Sequence, residues 1–209
     1  EVWEGVSEDP EHVNTPDDLI YCIYTSGTTG QPKGVMQQNK TMVNLVLDEY
    51  RTIGEEAFSR TLFSTNYGFD VSVQEYFSTL LCGGMGYIIT LEEKQDTKKC
   101  REIISANDIR TIFATSSYFE MLTNNDTELL TKNIRNVILA GESFKVSNKL
   151  LETKEASHIR LHNHYGPTET HVVTEKYATV GELRKEKNLD LGKPIANTQI
   201  YMMNGDNLC

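Results

Sequence analysis

The stretch Leu19-Ile20-Tyr21-Cys22-Ile23-Tyr24-Thr25-Ser26-Gly27-Thr28-Thr29-Gly30-Gln31-Pro32-Lys33-Gly34 sets the reading of this chain. Leu19–Tyr24 is a short apolar run of the kind that forms a strand. Directly after it come hydroxyl residues, glycines and one lysine. Glycine lets the backbone take positive φ and approach a ligand closely. Backbone N–H groups and hydroxyls can then surround phosphate oxygens, with Lys33 as a mobile point charge. This is not the P-loop of nucleotide hydrolases, where Ser or Thr follows the lysine and opens a helix. Here Gly34 and Val35 follow Lys33.

Outward from this loop, short apolar runs alternate with helix-like segments. Strands are expected at Thr61–Thr65, Tyr87–Thr90, Arg110–Ala114, Val137–Ala140 and Ile159–His162. Helices are expected from Asn39 as a cap, over Val71–Cys82 with Val73, Phe77, Leu80 and Leu81 as its apolar stripe, over Lys98–Ala106, near Tyr118–Leu122, and over Val146–Glu155. The last third, with Val172–Val173 and Thr198–Met202, reads as richer in strand. Residues 1–18 are acidic, contain Pro10 and Pro16, and read as a linker before a single unit at 19–209. No internal repeat stands out. Alternating β and α implies an α/β fold: a mostly parallel sheet with helices on both faces. Ligands of such sheets bind beyond the carboxyl ends of the strands. The Thr25–Gly34 loop, Gly141-Glu142-Ser143 and Asn163–Thr170 each follow an expected strand, so one rim is expected to gather all three.

Composition narrows the partners. The 209 residues are 38% hydrophobic and 24% charged, with a net charge of −10. That charge argues against nucleic acid or an anionic membrane as the main partner. No apolar run is long enough to cross a membrane. Cys22, Cys82, Cys100 and Cys209 are widely spaced without C-x-x-C, which suits reduced thiols and a cytoplasmic setting. His158, His162 and His164 form H-x3-H-x-H, with His171 nearby. His162 and His164 share a strand face, but His158 falls near the strand start and no cysteine is spaced to help, so a metal is not expected there.

Two further strings carry chemistry. Phe69-Asp70-Val71-Ser72 places a carboxylate at a helix start, where it either caps the helix or meets a cation. Asn163-His164-Tyr165-Gly166-Pro167-Thr168-Glu169-Thr170 joins an amide, an aromatic ring, a tight turn and a carboxylate. No Ser-His-Asp or Cys-His set suggests covalent catalysis.

Taken together, the Tyr24–Gly34, Phe69–Ser72 and Asn163–Glu169 strings resemble the adenylate-forming superfamily, and within it the adenylation domains of non-ribosomal peptide synthetases. The likeness runs from about Asp17 to Asn204 and is greatest to the flavodoxin-like subdomain of the large N-terminal lobe. It implies ATP and Mg²⁺ as cofactors, an amino-acid substrate, and a phosphopantetheine-bearing carrier domain as partner beside the rest of the adenylation domain. Thr25, Ser26, Gly27, Thr28, Thr29, Gly30, Lys33 and Thr168 would hold the phosphates. Gly141, Glu142, Asn163 and Tyr165 would hold the adenine, and Glu169 the Mg²⁺. Asp70 would pair with the substrate's α-ammonium, which favours an amino acid over a fatty or aromatic acid. The resemblance places Asp70, Val71, Gln74, Phe113, Ile138, Ala140, His164, Val172 and Val173 around the substrate side chain. That set is small, mainly apolar, and similar to the set of proline-activating members; it offers no partner to a charged side chain. The family's Tyr-Arg-Thr-Gly-Asp element and its lid lysine are not among these residues, so the chain alone is expected to be inactive. An acyl- or aryl-acid ligase fragment and a non-catalytic binding module are the competing readings.

Overall fold

The computed structural model describes residues 11–26, 31–124, 127–205 and 207–208. A hairpin opens it: β1 (Leu19–Thr25) pairs antiparallel with β2 (Lys33–Gln38), with Thr25 opposite Lys33 as the last rung. This hairpin is a separate sheet, so β1 is not a strand of the parallel sheet as expected. Helix α1 (Asn39–Thr52) follows at once. Asn39 is its first residue rather than its cap, and its amide instead donates to the Thr15 carbonyl at 3.1 Å.

The main sheet then builds up in βα units. After β3 (Arg60–Phe63) come α2 (Asp70–Leu80) and β4 (Met85–Ile88). Helices α3 (Leu91–Gln95) and α4 (Thr97–Ala106) lead to β5 (Thr111–Ala114). Helices α5 (Ser116–Asn124) and α6 (Glu128–Thr131) lead to β6 (Asn136–Leu139). Helix α7 (Asn148–Glu152), half the expected span, and a 3-10 turn at Lys154–His158 lead to β7 (Arg160–Tyr165). Strand β8 (Thr174–Thr179), helix α8 (Val180–Leu183) and β9 (Lys193–Pro194) complete it, and β10 (Met203–Asn204) pairs β11 (Asn207–Leu208) apart from it. Val172–Val173 and Thr198–Met202, expected as strands, lie outside any strand.

The seven strands run in the order β4-β3-β5-β6-β7-β8-β9. The first five are parallel, and β8 and β9 are antiparallel additions. Among the parallel strands this is the 2-1-3-4-5 order of flavodoxin-like sheets. The winding reverses between β3 and β5, and a crevice opens beyond their carboxyl ends.

Side chains alternate across the sheet as the pleat requires. Ile112, Val137, Leu139 and Leu161 face the layer of α4 to α8, in the larger core cluster. Phe113 and Ile138 face the other side, with Ile53, Ala57 and Phe58. On that side α1 buries Met42, Leu45 and Val46 against Val172 and Ile195, with Ile20 and Tyr21 of the hairpin alongside. A period of 25 residues runs through the parallel strands. Asp108-Ile109-Arg110, Asn133-Ile134-Arg135 and His158-Ile159-Arg160 each enter a strand. Each isoleucine is at most 1% exposed, and each arginine N–H donates to the carbonyl of the arginine one strand earlier, starting from Arg60.

Helix α2 meets half of the expectation drawn from its sequence, with Val73 and Phe77 packed beside α1. Leu80 and Leu81 are about 60% exposed, while Ser72, Gln74, Glu75, Ser78 and Thr79 are buried. Internal partners make this tolerable, since a buried polar group is costly only when unpaired. Glu75 accepts from the Ser64 and Thr65 backbone N–H groups at 3.2 and 3.3 Å, and so holds the loop after β3. Glu49 of α1 accepts from Gln74 at 2.7 Å and from the Ser78 hydroxyl. Burial pushes the Glu49 carboxyl up to about 8 and that of Glu75 up to about 7, against the pull of these donors.

These observations predict two stability responses. Ile134→Ala should cost about 2–5 kcal/mol in denaturant unfolding, whereas the exposed Arg160→Gln should cost less than about 1 kcal/mol. Glu49 and Glu75 hold protons when folded that the unfolded chain releases near 4.5. Their contribution is therefore complete below that pH and is lost as pH rises through about 7 and then about 8. Glu49→Gln should flatten the fall in Tm across the upper part of that range, and an unchanged slope would show that Glu49 is not its source.

Candidate active site

A cavity of about 560 Å³ lies at the reversal of the sheet winding. Thr65 and Asn66 after β3 and Ala114 and Thr115 at the end of β5 form its base, and the start of α2 and the Gly166–Val172 turn close two sides. Of the nine expected substrate-pocket residues, Asp70, Val71, Phe113, Ala140, His164 and Val172 line it. Gln74, Ile138 and Val173 do not. Gln74 is fully buried behind His164, and Ile138 is packed in the core one step back along β6 from Ala140. Val173 turns its backbone into service instead, donating to the Tyr165 carbonyl at 2.8 Å and accepting from Ile195 at 3.1 Å.

The turn beside the cavity is held by close backbone contact. A Cβ on Gly166 would lie 1.6 Å from the His171 carbonyl oxygen, so only glycine fits. His171 itself sits at φ 60°, in the left-handed region. Its Nδ1 accepts from the Val172 N–H at 2.8 Å. The ring proton is therefore on Nε2, which donates to the Asp70 carbonyl at 3.1 Å. Burial keeps His171 below the usual histidine range. The ring thus ties the turn to the first residue of α2. Asp70 keeps one local bond, from the Val71 N–H to Oδ1 at 2.8 Å, and its carboxylate is half-buried on the cavity wall.

His164 is 3% exposed, and burial holds it down to about 4. Its Nδ1 lies 3.2 Å from the Gln74 amide, and Nε2 has no partner. The cavity is thus apolar over Val71, Phe113, Ala140 and Val172, with two polar points on opposite elements. Lys94 also reaches it, a cation that sequence reading did not place there. Its ammonium donates to the Ser64 carbonyl at 2.8 Å and lies 5.0 Å from the Tyr118 ring centroid. Lys94 and Tyr118 belong to segments without a motif, so only their position in the fold reveals them.

A groove of about 620 Å³ adjoins the cavity and shares Gly141, Glu142, His164 and Gly166 with it. All four expected adenine residues, Gly141, Glu142, Asn163 and Tyr165, line this groove. Gly141 takes φ 80°. Glu142 accepts from the Ser117 N–H and hydroxyl, both at 2.9 Å, and the backbone donor leads in holding it below the usual carboxylate range. The Asn163 amide donates to the Leu189 and Asp190 carbonyls at 3.3 and 2.9 Å, which leaves its oxygen as an acceptor. Tyr165 is 48% exposed, with a face free for stacking.

The phosphate-loop residues Gly27, Thr28, Thr29 and Gly30 lie outside the described residues. Thr25, Ser26 and Lys33 are described and flank them at the hairpin end. Although the hairpin is not in the main sheet, it is anchored to the rim. Gln37 of β2 donates to the Thr168 and Glu169 carbonyls at 3.3 and 2.7 Å. Thr168 lines the cavity, and the Glu169 side chain is exposed with no protein partner among the described residues. An exposed carboxylate of this kind suits Mg²⁺, which keeps most of its waters.

Residues 1–209 match the family described as AMP-binding enzyme. The chain is 36% identical over 201 residues to gramicidin S synthase 2 of Brevibacillus brevis, covering 95% of this chain and 4% of that protein. It is 38% identical over 195 residues to tyrocidine synthase 2 of Brevibacillus parabrevis, covering 92% of this chain and 5% of that protein. Among solved structures it is similar to a four-domain nonribosomal peptide synthetase bound to AMP and glycine, at 28% identity and a TM-score of 0.72 over 90% of this chain and 13% of that one. A protein with adenylation and PCP domains shares the fold at a TM-score of 0.77 and 23% identity, over 95% of this chain and 40% of that one. The chain therefore spans a small part of the length of these synthetases, and by its match over all 209 residues it belongs to the AMP-binding enzyme family.

Proposed function

We propose that this chain is the amino-acid- and nucleotide-recognition part of a peptide-synthetase adenylation domain, and that the whole enzyme activates L-proline with ATP. The observation that carries this is the cavity with Asp70 on its wall, continuous with the Asn163–Tyr165 groove. A half-buried carboxylate is a natural partner for a substrate ammonium, which needs a paired charge once it leaves water. The apolar walls at Val71, Phe113, Ala140 and Val172 fit a compact ring. Lys94 is already engaged by Ser64 and Tyr118 and leaves the ammonium to Asp70.

In the reaction, a substrate carboxylate oxygen forms a bond to the α-phosphorus of ATP. The bond from that phosphorus to the pyrophosphate oxygen breaks, giving prolyl-AMP and pyrophosphate. The protein's part is positioning and charge stabilisation. Asp70 orients the amino acid, and Asn163 and Tyr165 seat the adenine. Thr168 and the Thr25–Lys33 loop hold phosphate oxygens. Mg²⁺, held by Glu169, supplies charge neutralisation. The product would pass to phosphopantetheine on a carrier domain. The 209 residues contain no lid lysine or Tyr-Arg-Thr-Gly-Asp element, so the chain by itself should support little reaction.

Proline-dependent ATP–pyrophosphate exchange tests both parts. The complete enzyme should exchange with proline in preference to charged or aromatic amino acids, and the isolated 209 residues should not. Asp70→Ala in the complete enzyme should lower kcat/KM for the amino acid about 10²–10³-fold, the cost of removing one partner of a buried ion pair, with little change in KM for ATP. Equal exchange with a carboxylic acid lacking the amine would favour an acyl- or aryl-acid ligase instead.

A further inference from the structure

We propose that His162, His164 and Glu175 form a binding site for one transition-metal ion of the Zn²⁺ class, set between β7 and β8. One ring nitrogen from each histidine and a Glu175 carboxylate oxygen lie within 4.8 Å of one another. Strand geometry produces this cluster. His162 and His164 are two residues apart on β7 and share a face. The antiparallel register sets Glu175 of β8 directly opposite His164. H-x-H alone does not reveal it, because the third ligand arrives from a strand that runs the other way.

The surroundings suit a metal more closely than a simple ion pair. The His162 and Glu175 side chains are 0% and 9% exposed, and His162 Nδ1 meets Glu175 Oε1 at 3.2 Å. The other nitrogen of His162 lies 3.2 Å from Asn136 Oδ1, the outer partner that ligating histidines usually have. His164 has the Gln74 amide at Nδ1, and its Nε2 is buried with no partner. A buried ring nitrogen left unpaired is costly, and a metal ion at Nε2 would satisfy it, with the Gln74 amide turned so that its own unpaired Oε1 accepts the proton then on Nδ1. Two imidazoles and one carboxylate match zinc, with a fourth position open to water, whereas Mg²⁺ and Ca²⁺ prefer oxygen ligands alone. Tetrahedral ligand atoms sit about 3.4 Å apart, so side-chain rotation on the order of an ångström completes the site. Glu175 also lines a groove of about 420 Å³ with Asp48, Asp190, Lys176 and Lys193, where Lys176 pairs with Asp190, so the carboxylate is reachable from the surface. The site does not depend on the adenylation reading. It shares only His164 with the substrate cavity, and a bound ion would fix that ring.

The untagged 209-residue chain, stripped with a chelator, tests this by Zn²⁺ titration against a chromophoric competitor and by Co²⁺ absorption. One saturable equivalent is expected, with a four-coordinate Co²⁺ spectrum and no thiolate charge-transfer band. His162→Ala and Glu175→Ala should each weaken Zn²⁺ by at least about tenfold, while Cys22→Ser and His158→Ala leave it unchanged. Absence of saturable binding, loss of binding in Cys22→Ser, or undiminished binding in His162→Ala would each overturn the site. Should the His162 and Glu175 variants fail to fold, the Co²⁺ spectrum of the unaltered chain decides: an octahedral or thiolate spectrum rejects the proposal.

Discussion

The contact between Gly166 and the His171 carbonyl is what the site depends on. A side chain at 166 would occupy the space of that oxygen. Because the backbone closes here, His171 turns into the left-handed region and its ring reaches the Asp70 carbonyl. The start of α2 is thereby fixed relative to the end of β7. The same turn presents the Thr168 and Glu169 carbonyls to Gln37, which docks the hairpin. One tight turn thus links three segments distant in sequence: the start of α2 with Asp70, the Asn163–Tyr165 groove and the β1–β2 hairpin.

Beneath the cavity lies a polar layer rather than an apolar one. Glu49, Ser78, Gln74 and His164 form a buried chain, and His162, Glu175, Thr52 and Asn136 form a second beside it. Such layers are acceptable only when nearly every member is satisfied. Here the Gln74 Oε1 and His164 Nε2 atoms remain unpaired. Only His164 reaches the cavity; Gln74 is buried behind it. A fully apolar floor would be more stable, and the polar one positions His164, whose ring is the only point where both chains and the cavity meet among the described residues.

Much of the fold was legible. Parallel strands are short and buried on both faces, so Ile112–Phe113 and Val137–Leu139 announce themselves as continuous apolar runs. The strings that line the cavity and its groove were legible because loops at the carboxyl rim carry the unusual residues. Three features were not. Leu19–Tyr24 reads like a core strand, but its partner Lys33–Gln38 lies across a glycine-rich loop, and pairing, not composition, decides which sheet a strand joins. Helix α2 packs Val73 and Phe77 of its apolar stripe but leaves Leu80 and Leu81 outside, because the polar residues find partners in α1 and in the loop after β3. The Ile-Arg period of 25 residues escaped notice since only two positions in each unit are constrained: one buried in the core, the other aligned at the strand entrance.

That period also bears on how an acidic chain handles an anionic ligand. With a net charge of −10, long-range attraction cannot collect phosphate. Arg60, Arg110, Arg135 and Arg160 line up at the entrance of the parallel strands, on the rim opposite the cavity. They are too far along the strands to contact a ligand at the carboxyl rim. Lys94 lies on the cavity wall and is spent on Ser64 and Tyr118. On the proposed reading, attraction at the site would come from short-range donors: backbone N–H groups, hydroxyls such as Thr168, and a divalent ion at Glu169. Short-range donors act only on a ligand already seated and oriented. An acidic surface with hydroxyls at the rim therefore favours selection by fit over capture by charge, which the proposed alignment of a carboxylate with one phosphorus atom would require.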